Sequence, residues 1–343
     1  MDLADFDYAL PPDQIAQEPT PERDGARLLV LERGQSALRH GAVRDLPELL
    51  LPGDLLVRNA TRVLPARLRG RKPTGGAAEA LLLGPLPGFP GRFRALLRVT
   101  GRARPGSKLC FGPPGAALDA ELVGRSQDGL AVLSFPQGAD PYAIGEAPLP
   151  PYIRRGAARP EDASRYQTVY ARVPGSVAAP TAGLHLSEAL LAGLARRGVE
   201  IADLVLHVGP GTFQKPSPEQ LASGLLHREW FCLPAETAAR VAAARARGGR
   251  VVAVGTTSAR VLEARARSDR GVEPGEGETR LFLRPGSRFQ VVDALLTNFH
   301  LPRSSLLMLV AAFAGRERVL AAYAEAVRAG YRFYSYGDAM LVL

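Results

Sequence analysis

The sequence predicts an α/β protein, in which a mostly parallel sheet is flanked by helices and carries an inserted small antiparallel β-barrel. Two patterns lead to this expectation. After residue 178, helical and strand-like segments alternate, which is typical of a parallel sheet covered by helices. Between residues 63 and 151, short β-type runs are separated by Gly and Pro turns without a helical stretch, which is typical of a small barrel.

The α/β domain is therefore expected to be discontinuous, with residues 1–62 and 152–343 on either side of an inserted barrel domain at 63–151. Residues 1–27 are rich in Pro, Asp and Glu and are expected to form an extended arm. A strand at 27–31, a short helix at 46–50 and a strand at 54–57 follow. The last of these strands leads into a polar cluster, and ligand-binding residues lie at such strand ends in α/β sheets. The cluster consists of Arg58, Asn59, Thr61 and Arg62.

The remaining elements are assigned from hydrophobic period and turn residues. The strands expected in the barrel are 79–83, 92–99, 108–111, 118–123 and 130–135. The strands expected after it are 201–208, 229–233, 251–254, 280–283, 289–292 and 294–296. The expected helices are 187–196, 236–246, 258–267, 304–314 and 317–328.

Composition excludes several classes of protein. A chain of 343 residues with 46% hydrophobic and 22% charged residues is ordinary for a globular protein. Its two cysteines, Cys110 and Cys232, lie far apart, which argues against a disulfide framework, a zinc site or a redox pair. Neither His-x-x-x-His nor His-Glu-x-x-His occurs, so no metal site is expected. The first residues lack an apolar signal core and no apolar run can span a bilayer, which predicts a cytoplasmic protein.

The charge of the chain indicates a polyanionic partner. The formal net charge is +9 and the sequence pI is about 10.0, which favours a nucleic acid. Between residues 58 and 108 there are twelve Arg or Lys residues and one acid, Glu79. A solvated surface rarely needs that imbalance, so this stretch is expected to contact RNA. The candidate RNA-binding residues are Arg67, Arg92, Arg94 and Arg98.

Three histidines in loops shaped by Gly or Pro are the candidate catalytic residues. His185 lies directly before a helix, His207 opens a Gly-rich loop, and His300 follows a strand-like run. A general base needs a neutral imidazole, and a helix N-terminus lowers the pKa of a neighbouring histidine. His185 is therefore the first choice for the base, with His207 and His300 next. The candidate binding residues in the same loops are Thr181, Gly183, Gly209, Gly211, Thr212 and Asn298.

Two further segments suit a nucleotide-like ligand. At 251–260 a strand, a glycine, a hydroxyl cluster and a helix follow one another, so helix N–H groups and hydroxyls can hold a carboxylate, a phosphate or a ribose. An ordinary N-cap would give the same pattern. The aromatic segment at 331–340 suits stacking on a base, although a buried terminal strand has the same composition. The candidate residues here are Thr256, Thr257, Ser258, Arg260, Tyr334 and Asp338.

Eight short motifs lie along almost the whole chain. They are NATRVLPAR at 59–67, LPPYI at 149–153, YQTVY at 166–170, APTAGLH at 179–185, LHVGPGTFQ at 206–214, GTTSAR at 255–260, TNFHLP at 297–302 and YRFYSYGDAM at 331–340. In this order they resemble the motifs of the S-adenosylmethionine:tRNA ribosyltransferase-isomerase family. The resemblance also implies an α/β domain with an inserted β-barrel.

The resemblance implies an enzyme that transfers and isomerises the ribosyl part of S-adenosylmethionine onto 7-aminomethyl-7-deazaguanine at the wobble position of tRNA. The expected products are epoxyqueuosine in tRNA, adenine and methionine. S-adenosylmethionine is then a consumed substrate, no cofactor is expected, and the protein is expected to be a monomer. Two alternatives stay open: a non-catalytic tRNA- or ribosome-binding protein, which the charge supports, and a methyltransferase, against which the missing Gly-rich loop argues.

Overall fold

The computed structural model describes residues 2–35, 37–126, 129–213, 215–269 and 271–343, so Gln214 at the end of one motif lies outside the described residues. The strands are β1 (Arg27–Leu31), β2 (Leu38–Ala42), β3 (Leu55–Asn59), β4 (Thr61–Val63), β5 (Arg67–Arg71), β6 (Ala77–Pro85), β7 (Arg92–Val99), β8 (Lys108–Phe111), β9 (Leu118–Arg125), β10 (Ala131–Ser134), β11 (Val173–Ser176), β12 (Glu200–Leu206), β13 (Leu225–Leu233), β14 (Val251–Val254), β15 (Gly275–Leu281), β16 (Ala294–Asn298) and β17 (Ala339–Val342). The helices are α1 (Leu46–Leu49), α2 (Asp162–Arg165), α3 (Glu188–Arg196), α4 (Pro218–Ser223), α5 (Ala235–Ala246), α6 (Gly255–Ala264), α7 (Ser305–Ala314) and α8 (Arg316–Arg328).

A large sheet with helices on both faces forms the α/β part, which confirms the fold class expected from the sequence. Its strand order is β15-β13-β12-β3-β14-β16-β17-β1-β2. Strands β12, β3, β14 and β16 are parallel neighbours, and β17 is parallel to β1. The other neighbours, including β13 and β15 at one edge, pair antiparallel, so the sheet as a whole is mixed.

The central strands are buried on both faces, which explains their nearly continuous apolar sequences. All four residues of β14 are buried. Successive side chains of β3 point to opposite faces, so that Val57 packs in a core with Val241 and Leu262, whereas Leu56 packs in another core with Leu194. Helices α5 to α8 cover the first face, and α1 and α3 cover the second.

The inserted strands form a closed antiparallel barrel in the order β10-β7-β6-β5-β8-β9. Its core contains Leu68, Phe111 and Leu133. The five strands expected from the sequence are present, and β5 is the sixth. Strand β5 escapes a sequence search because its sequence, RLRGR, offers a single apolar residue. The domain boundaries at 63 and 151 remain a prediction, since the barrel strands themselves run from residue 67 to residue 134.

Three local expectations differ from the structure. The segment 289–292 is not a strand, because backbone N–H groups of Gln290, Val291 and Val292 donate to the carboxylate of Glu263. Within the expected arm at 1–27, the described residues 2–27 contain three short 3₁₀ turns and bury Phe6, so they are not a simple extended arm. Helix α6 begins three residues earlier than expected, which places the hydroxyl cluster in its first turn. Within the described residues, no helix is long and apolar enough to cross a membrane.

Candidate active site

The carboxyl ends of the four parallel strands lie at one edge of the sheet, where polar residues follow them. Strand β3 ends at Asn59, β12 ends at Leu206, and β16 ends at Asn298, while β14 leads into helix α6. The Asn59 side chain ties these ends together, because its Nδ2 donates to the carbonyl of Leu206 at 2.9 Å and to Thr257 Oγ1 at 3.3 Å. The carboxyl ends of parallel strands are where α/β sheets bind ligands. The structure therefore brings several of the motifs together at this edge.

Two small adjoining cavities, each of about 30 Å³, form a cleft there. They share Thr181, Thr212, Asn298, His300 and Leu306. The first, here called the hydroxyl cavity, is also lined by Ala179, Pro180, Ala182, Val208, Gly255, Thr256, Thr257 and Thr297. The second, here called the aromatic cavity, is also lined by Tyr152, Phe299, Leu301, Ser304, Tyr334 and Ser335.

His300 is the expected catalytic histidine that lines both cavities. Its side chain is buried, and its Nε2 lies 2.7 Å from Thr297 Oγ1. Burial lowers the pKa of His300 to about 3, so the imidazole is neutral over the physiological range. When Nε2–H donates to the Thr297 hydroxyl, Nδ1 is the ring nitrogen left to accept a proton.

His185 lies behind Asn298 and not on either cavity wall. Asn298 Nδ2 donates to the Tyr334 carbonyl at 3.0 Å and lies 3.0 Å from His185 Nε2. Because a carbonyl only accepts, the amide nitrogen must face Tyr334, and His185 Nε2 then accepts while Nδ1 carries the proton. Burial, with Arg332 and Arg23 adding to it, lowers the pKa of His185 to about 4.

This arrangement favours a positioning role for His185 over the expected role of general base. A neutral imidazole has one nitrogen that accepts a proton, and in His185 that nitrogen is already used by Asn298. His185 instead fixes the orientation of the Asn298 side chain. The causes of its lowered pKa are burial first, then the nearby Arg332 and Arg23.

His207 also lies outside the cleft. Its Nδ1 is 2.9 Å from Thr61 Oγ1, and its ring stacks on Trp230 with the centroids 4.8 Å apart. A Cβ at Gly175 would lie 2.4 Å from His207 Nε2, so the ring is also packed against that backbone. Burial lowers the pKa of His207. The structure thus does not bring the three expected histidines into one site.

A buried carboxylate that was not among the expected site residues holds the loop after β12. Glu229 Oε1 accepts from the Gly209 N–H at 3.0 Å and from Thr212 Oγ1 at 3.2 Å, and its Oε2 pairs with Arg260. Burial alone would raise the pKa of Glu229, but Arg260 and His227 outweigh it and hold the pKa at about 2. A signal was present in the sequence, since a buried Arg260 needs an acidic partner.

The remaining expected binding residues have structural contacts. Arg58 pairs with Asp203 at 2.6 Å and lies over the Tyr170 ring, 4.0 Å from its centroid. Ser258 Oγ donates to the Val254 carbonyl, and Asp338 accepts from two backbone N–H groups. These contacts satisfy the side chains within the fold and away from the cleft.

Two of the expected glycines are required by packing. A Cβ at Gly183 would lie 2.0 Å from Tyr170 Oη, and a Cβ at Gly211 would lie 2.5 Å from the His227 ring. Neither position tolerates a side chain without movement of an aromatic or imidazole ring. Both glycines therefore have a packing role in the loops that border the cleft.

A larger cavity, about 530 Å³, lies elsewhere and is here called the junction cavity. It is bordered by the segment after β3, by the segment around Glu146 that pairs with barrel strand β5, and by α2, and Arg62, Tyr166 and Gln167 are among its lining residues. No histidine lines it within the described residues. A large volume alone does not make a cavity an active site, so the cleft is the better candidate for catalysis.

The arginines of the barrel fall into two groups. Arg92, Arg94 and Arg98 alternate with the core-facing residues of β7, so they share its outer face, and no ion pair involves them in the described part of the chain. Arg67, by contrast, is buried, pairs with Glu79 at 3.0 Å and donates to the Leu149 carbonyl at 2.7 Å. Arg67 is therefore withdrawn from the RNA-binding residues, because its guanidinium is used inside the protein.

The buried neutral histidines predict a loss of stability in mild acid. His185 and His300 have an ordinary pKa of 6.5 when unfolded but pKa values of about 4 and about 3 when folded. As the pH falls below 6.5 the unfolded chain takes up protons that the folded chain does not. The free energy of unfolding should then fall by about 1.4 kcal/mol per pH unit for each histidine.

Urea unfolding between pH 7.5 and 5 measures this loss. Glu229 does not contribute there, because its pKa is lowered from 4.5 and its own loss occurs below that pH. A His300→Gln variant should show a shallower dependence, because one of the two buried neutral imidazoles is removed. A free energy of unfolding that stays constant from pH 7.5 to 5 would contradict the buried neutral state.

Comparison with known proteins gives a consistent result. The family model described as "Queuosine biosynthesis protein" matches residues 3–342. A relative from Anaeromyxobacter dehalogenans is 54% identical over 348 residues, which cover 100% of this chain and 99% of the relative. One from Thermus thermophilus is 54% identical over 352 residues, covering 99% of each. Both are named S-adenosylmethionine:tRNA ribosyltransferase-isomerase. A crystal structure of S-adenosylmethionine tRNA ribosyltransferase from Thermotoga maritima is 40% identical, covers 99% of this chain and 100% of its own, and has a TM-score of 0.56.

Proposed function

We propose that this chain, which belongs to the queuosine biosynthesis family of S-adenosylmethionine:tRNA ribosyltransferase-isomerases, modifies the wobble position of tRNA that carries 7-aminomethyl-7-deazaguanine. Family membership over nearly the whole chain is the observation that carries this proposal. The ribosyl part of S-adenosylmethionine would be transferred and isomerised to give epoxyqueuosine in tRNA, with adenine and methionine released. The relatives give no support to a methyltransferase or to a non-catalytic RNA-binding protein.

The residues of the cleft suit this chemistry. A sulfonium acidifies the neighbouring ribose C5′ proton, so a positioned neutral imidazole can remove it. We assign this role to His300, which lines both cavities and keeps one ring nitrogen available. Its low pKa makes it a weak base, so the step relies on the acidity that the sulfonium provides.

The aromatic cavity suits the adenine. Tyr152 and Tyr334 stack with their ring centroids 4.7 Å apart, and Tyr152 Oη lies 2.7 Å from Ser335 Oγ. A purine can extend such a stack once the cavity widens, because its present volume is about 30 Å³. Tyr334 is held in the left-handed region, with φ of 72°, so its ring position is fixed by the backbone.

Product analysis tests the proposed function. The protein is incubated with S-adenosylmethionine and tRNA that carries the modified base precursor, and small molecules are separated. Free adenine and methionine in equal amounts, dependent on the precursor tRNA, are expected. S-adenosylhomocysteine would indicate a methyltransferase, and an absence of both products would indicate a binding protein. A tRNA with an unmodified guanine at the wobble position is the matched control.

Binding of tRNA should weaken steeply with salt, partly through the outer face of β7. Arg98 is exposed, and Arg92 lies over the Phe89 ring, 5.2 Å from its centroid, at the tip of the barrel. Each phosphate contact that is removed should lower the slope of log affinity against log salt by roughly 0.7 to 0.9. Replacing Arg92, Arg94 and Arg98 by Gln should therefore flatten the slope.

The charge-matched control replaces Arg196, Arg197 and Arg318, three exposed arginines of the α/β part, by Gln. This control changes the net charge equally but should leave the slope close to that of the unmodified protein. Equal slopes for the two triple variants would show that the β7 face does not contact RNA.

We further propose that the enzyme is a cytoplasmic monomer and needs no resident metal or cofactor. The described residues contain no group of three or more His, Cys, Asp or Glu side chains placed to hold a metal ion. Adenine release should therefore survive chelation when a polyamine maintains the tRNA fold. Activity that is lost on chelation and restored by one divalent ion, but not by the polyamine, would contradict this proposal.

A further inference from the structure

Helix α6 begins at the wall of the hydroxyl cavity without a side-chain cap. Its N-cap residue is Val254, which has no side-chain oxygen to accept from the N–H groups of the first turn. Gly255, with φ of +83°, turns the chain so that Thr256 and Thr257 line the cavity. The N–H groups of a first helical turn have no carbonyl one turn earlier and attract an anion.

A second and independent feature is the oxygen of Asn298. The side chain is 1% exposed and lines both cavities, and Oδ1 has no hydrogen-bond partner within the described residues. Its Nδ2 is committed to Tyr334 and His185, so the amide cannot turn over without facing the Tyr334 carbonyl with an oxygen. An unsatisfied buried acceptor is unfavourable, so a ligand that donates a hydrogen bond to Asn298 Oδ1 gains affinity.

The chemistry of its walls decides which part of a ligand the hydroxyl cavity holds. At about 30 Å³ it is as small as the aromatic cavity, so size does not distinguish the two, and each must widen to admit its part of the ligand. One wall offers helix N–H groups and threonine hydroxyls, which suit an anion. Asn298 Oδ1 offers an acceptor, which suits a cation. A carboxylate and an ammonium on one carbon atom combine these two requirements in a small volume.

We propose that the hydroxyl cavity binds the amino-acid end of S-adenosylmethionine, with its carboxylate at the first turn of α6 and its ammonium at Asn298 Oδ1. This assignment rests on the proposed function. With the amino-acid end in the hydroxyl cavity, the sulfonium would lie near His300, which lines both cavities. The adenosine would then extend toward Tyr152 and Tyr334. His185 then acts as a positioning residue, because it holds the amide of Asn298 in the required orientation.

Binding of three ligands to the full-length protein without tRNA tests this subsite. They are S-adenosylmethionine, its decarboxylated analogue, which keeps the ammonium, and methylthioadenosine, which lacks the whole amino-acid end. Titration calorimetry should show S-adenosylmethionine binding about tenfold or more tightly than the decarboxylated analogue, because a charge-assisted contact is lost. Methylthioadenosine should bind more weakly still. Equal affinity for the first two ligands, or no binding of S-adenosylmethionine, would overturn the assignment.

Two variants test the carboxylate site and the ammonium site separately. Thr256→Val should weaken S-adenosylmethionine severalfold and leave the decarboxylated analogue unchanged. Asn298→Ala should weaken both by more than it weakens methylthioadenosine, which has no ammonium to lose. Thr168→Val is the matched control, because its buried hydroxyl has no partner among the described residues and it lines neither cavity. Equal losses for all three ligands in Thr256→Val would indicate a structural effect and overturn the assignment.

The result can be separated from a failure of the proposed function. Adenine release by the unmodified protein with precursor tRNA is measured on the same preparation. If adenine is released but the carboxylate makes no difference to binding, only the subsite is wrong. If no adenine is released, the proposed function is wrong, whatever the ligand affinities are. Should Asn298→Ala not fold, the ligand comparison on the unmodified protein and Thr256→Val still decides the question.

Discussion

Replacing His300 by Gln should lower the turnover of the enzyme by about a hundredfold or more, which is the usual contribution of a positioned general base. The side chain lines both cavities of the cleft, and a Gln can keep a hydrogen bond to Thr297 but cannot take a proton. Steady-state kinetics of adenine release measures the change. The effect should fall mainly on kcat, because the imidazole acts on the reacting atoms.

The comparison with His185 makes this result decisive. His185→Gln should lower turnover much less, because the Gln oxygen can still accept from Asn298 Nδ2 and hold it in place. His40→Gln, on an exposed strand outside the cleft, should have no effect. If His185→Gln is the more damaging variant, the sequence-based choice of His185 as base is right and the assignment to His300 is wrong.

Replacing Glu229 by Gln should destabilise the protein by about 3 kcal/mol, because it leaves the buried guanidinium of Arg260 without a counter-charge. The side chains of Arg260 and Glu229 are only 5% and 1% exposed, so water cannot compensate. The loop that carries Gly209 and Thr212 also loses its anionic acceptor, so activity should fall with stability. Urea unfolding gives the change in free energy directly.

The neighbouring strand supplies a matched control. Glu278 on β15 pairs with Arg228 at 3.0 Å, but these side chains are 52% and 68% exposed. Glu278→Gln removes the same charge and should cost less than about 1 kcal/mol, because solvent screens the exposed pair. Similar losses in both variants would mean that the buried pair contributes no more than a surface pair.

Much of the fold was predictable because burial leaves a pattern in the sequence. Strand β14 is a run of four apolar residues, and β7 alternates core-facing residues with an outer face that carries Arg92, Arg94 and Arg98. Strand β5 was missed because three of its five residues are arginines, whose burial or pairing depends on partners such as Glu79 and Glu146. The strand expected at 289–292 was wrong because a single distant carboxylate, Glu263, takes up its N–H groups.

The sequence predicted which loops form the site, but it did not predict the role of each residue in them. The motifs that contain His185, Asn298 and Thr257 do meet at the carboxyl ends of parallel strands, as the alternating pattern implied. Which nitrogen of His185 faces Asn298 is a matter of three-dimensional packing that no spacing reveals. Tyr152 reaches the cleft from the segment after the barrel, so its place depends on how that segment folds back.

The most direct test of this account is a crystal structure of the protein with S-adenosylmethionine bound. The account predicts density for the ligand in the cleft, with the adenine against Tyr152 and Tyr334, the amino-acid end beside Thr256 and Asn298, and the sulfonium close to His300. Density in the junction cavity beside Arg62 and Tyr166, with the cleft unchanged, would contradict it.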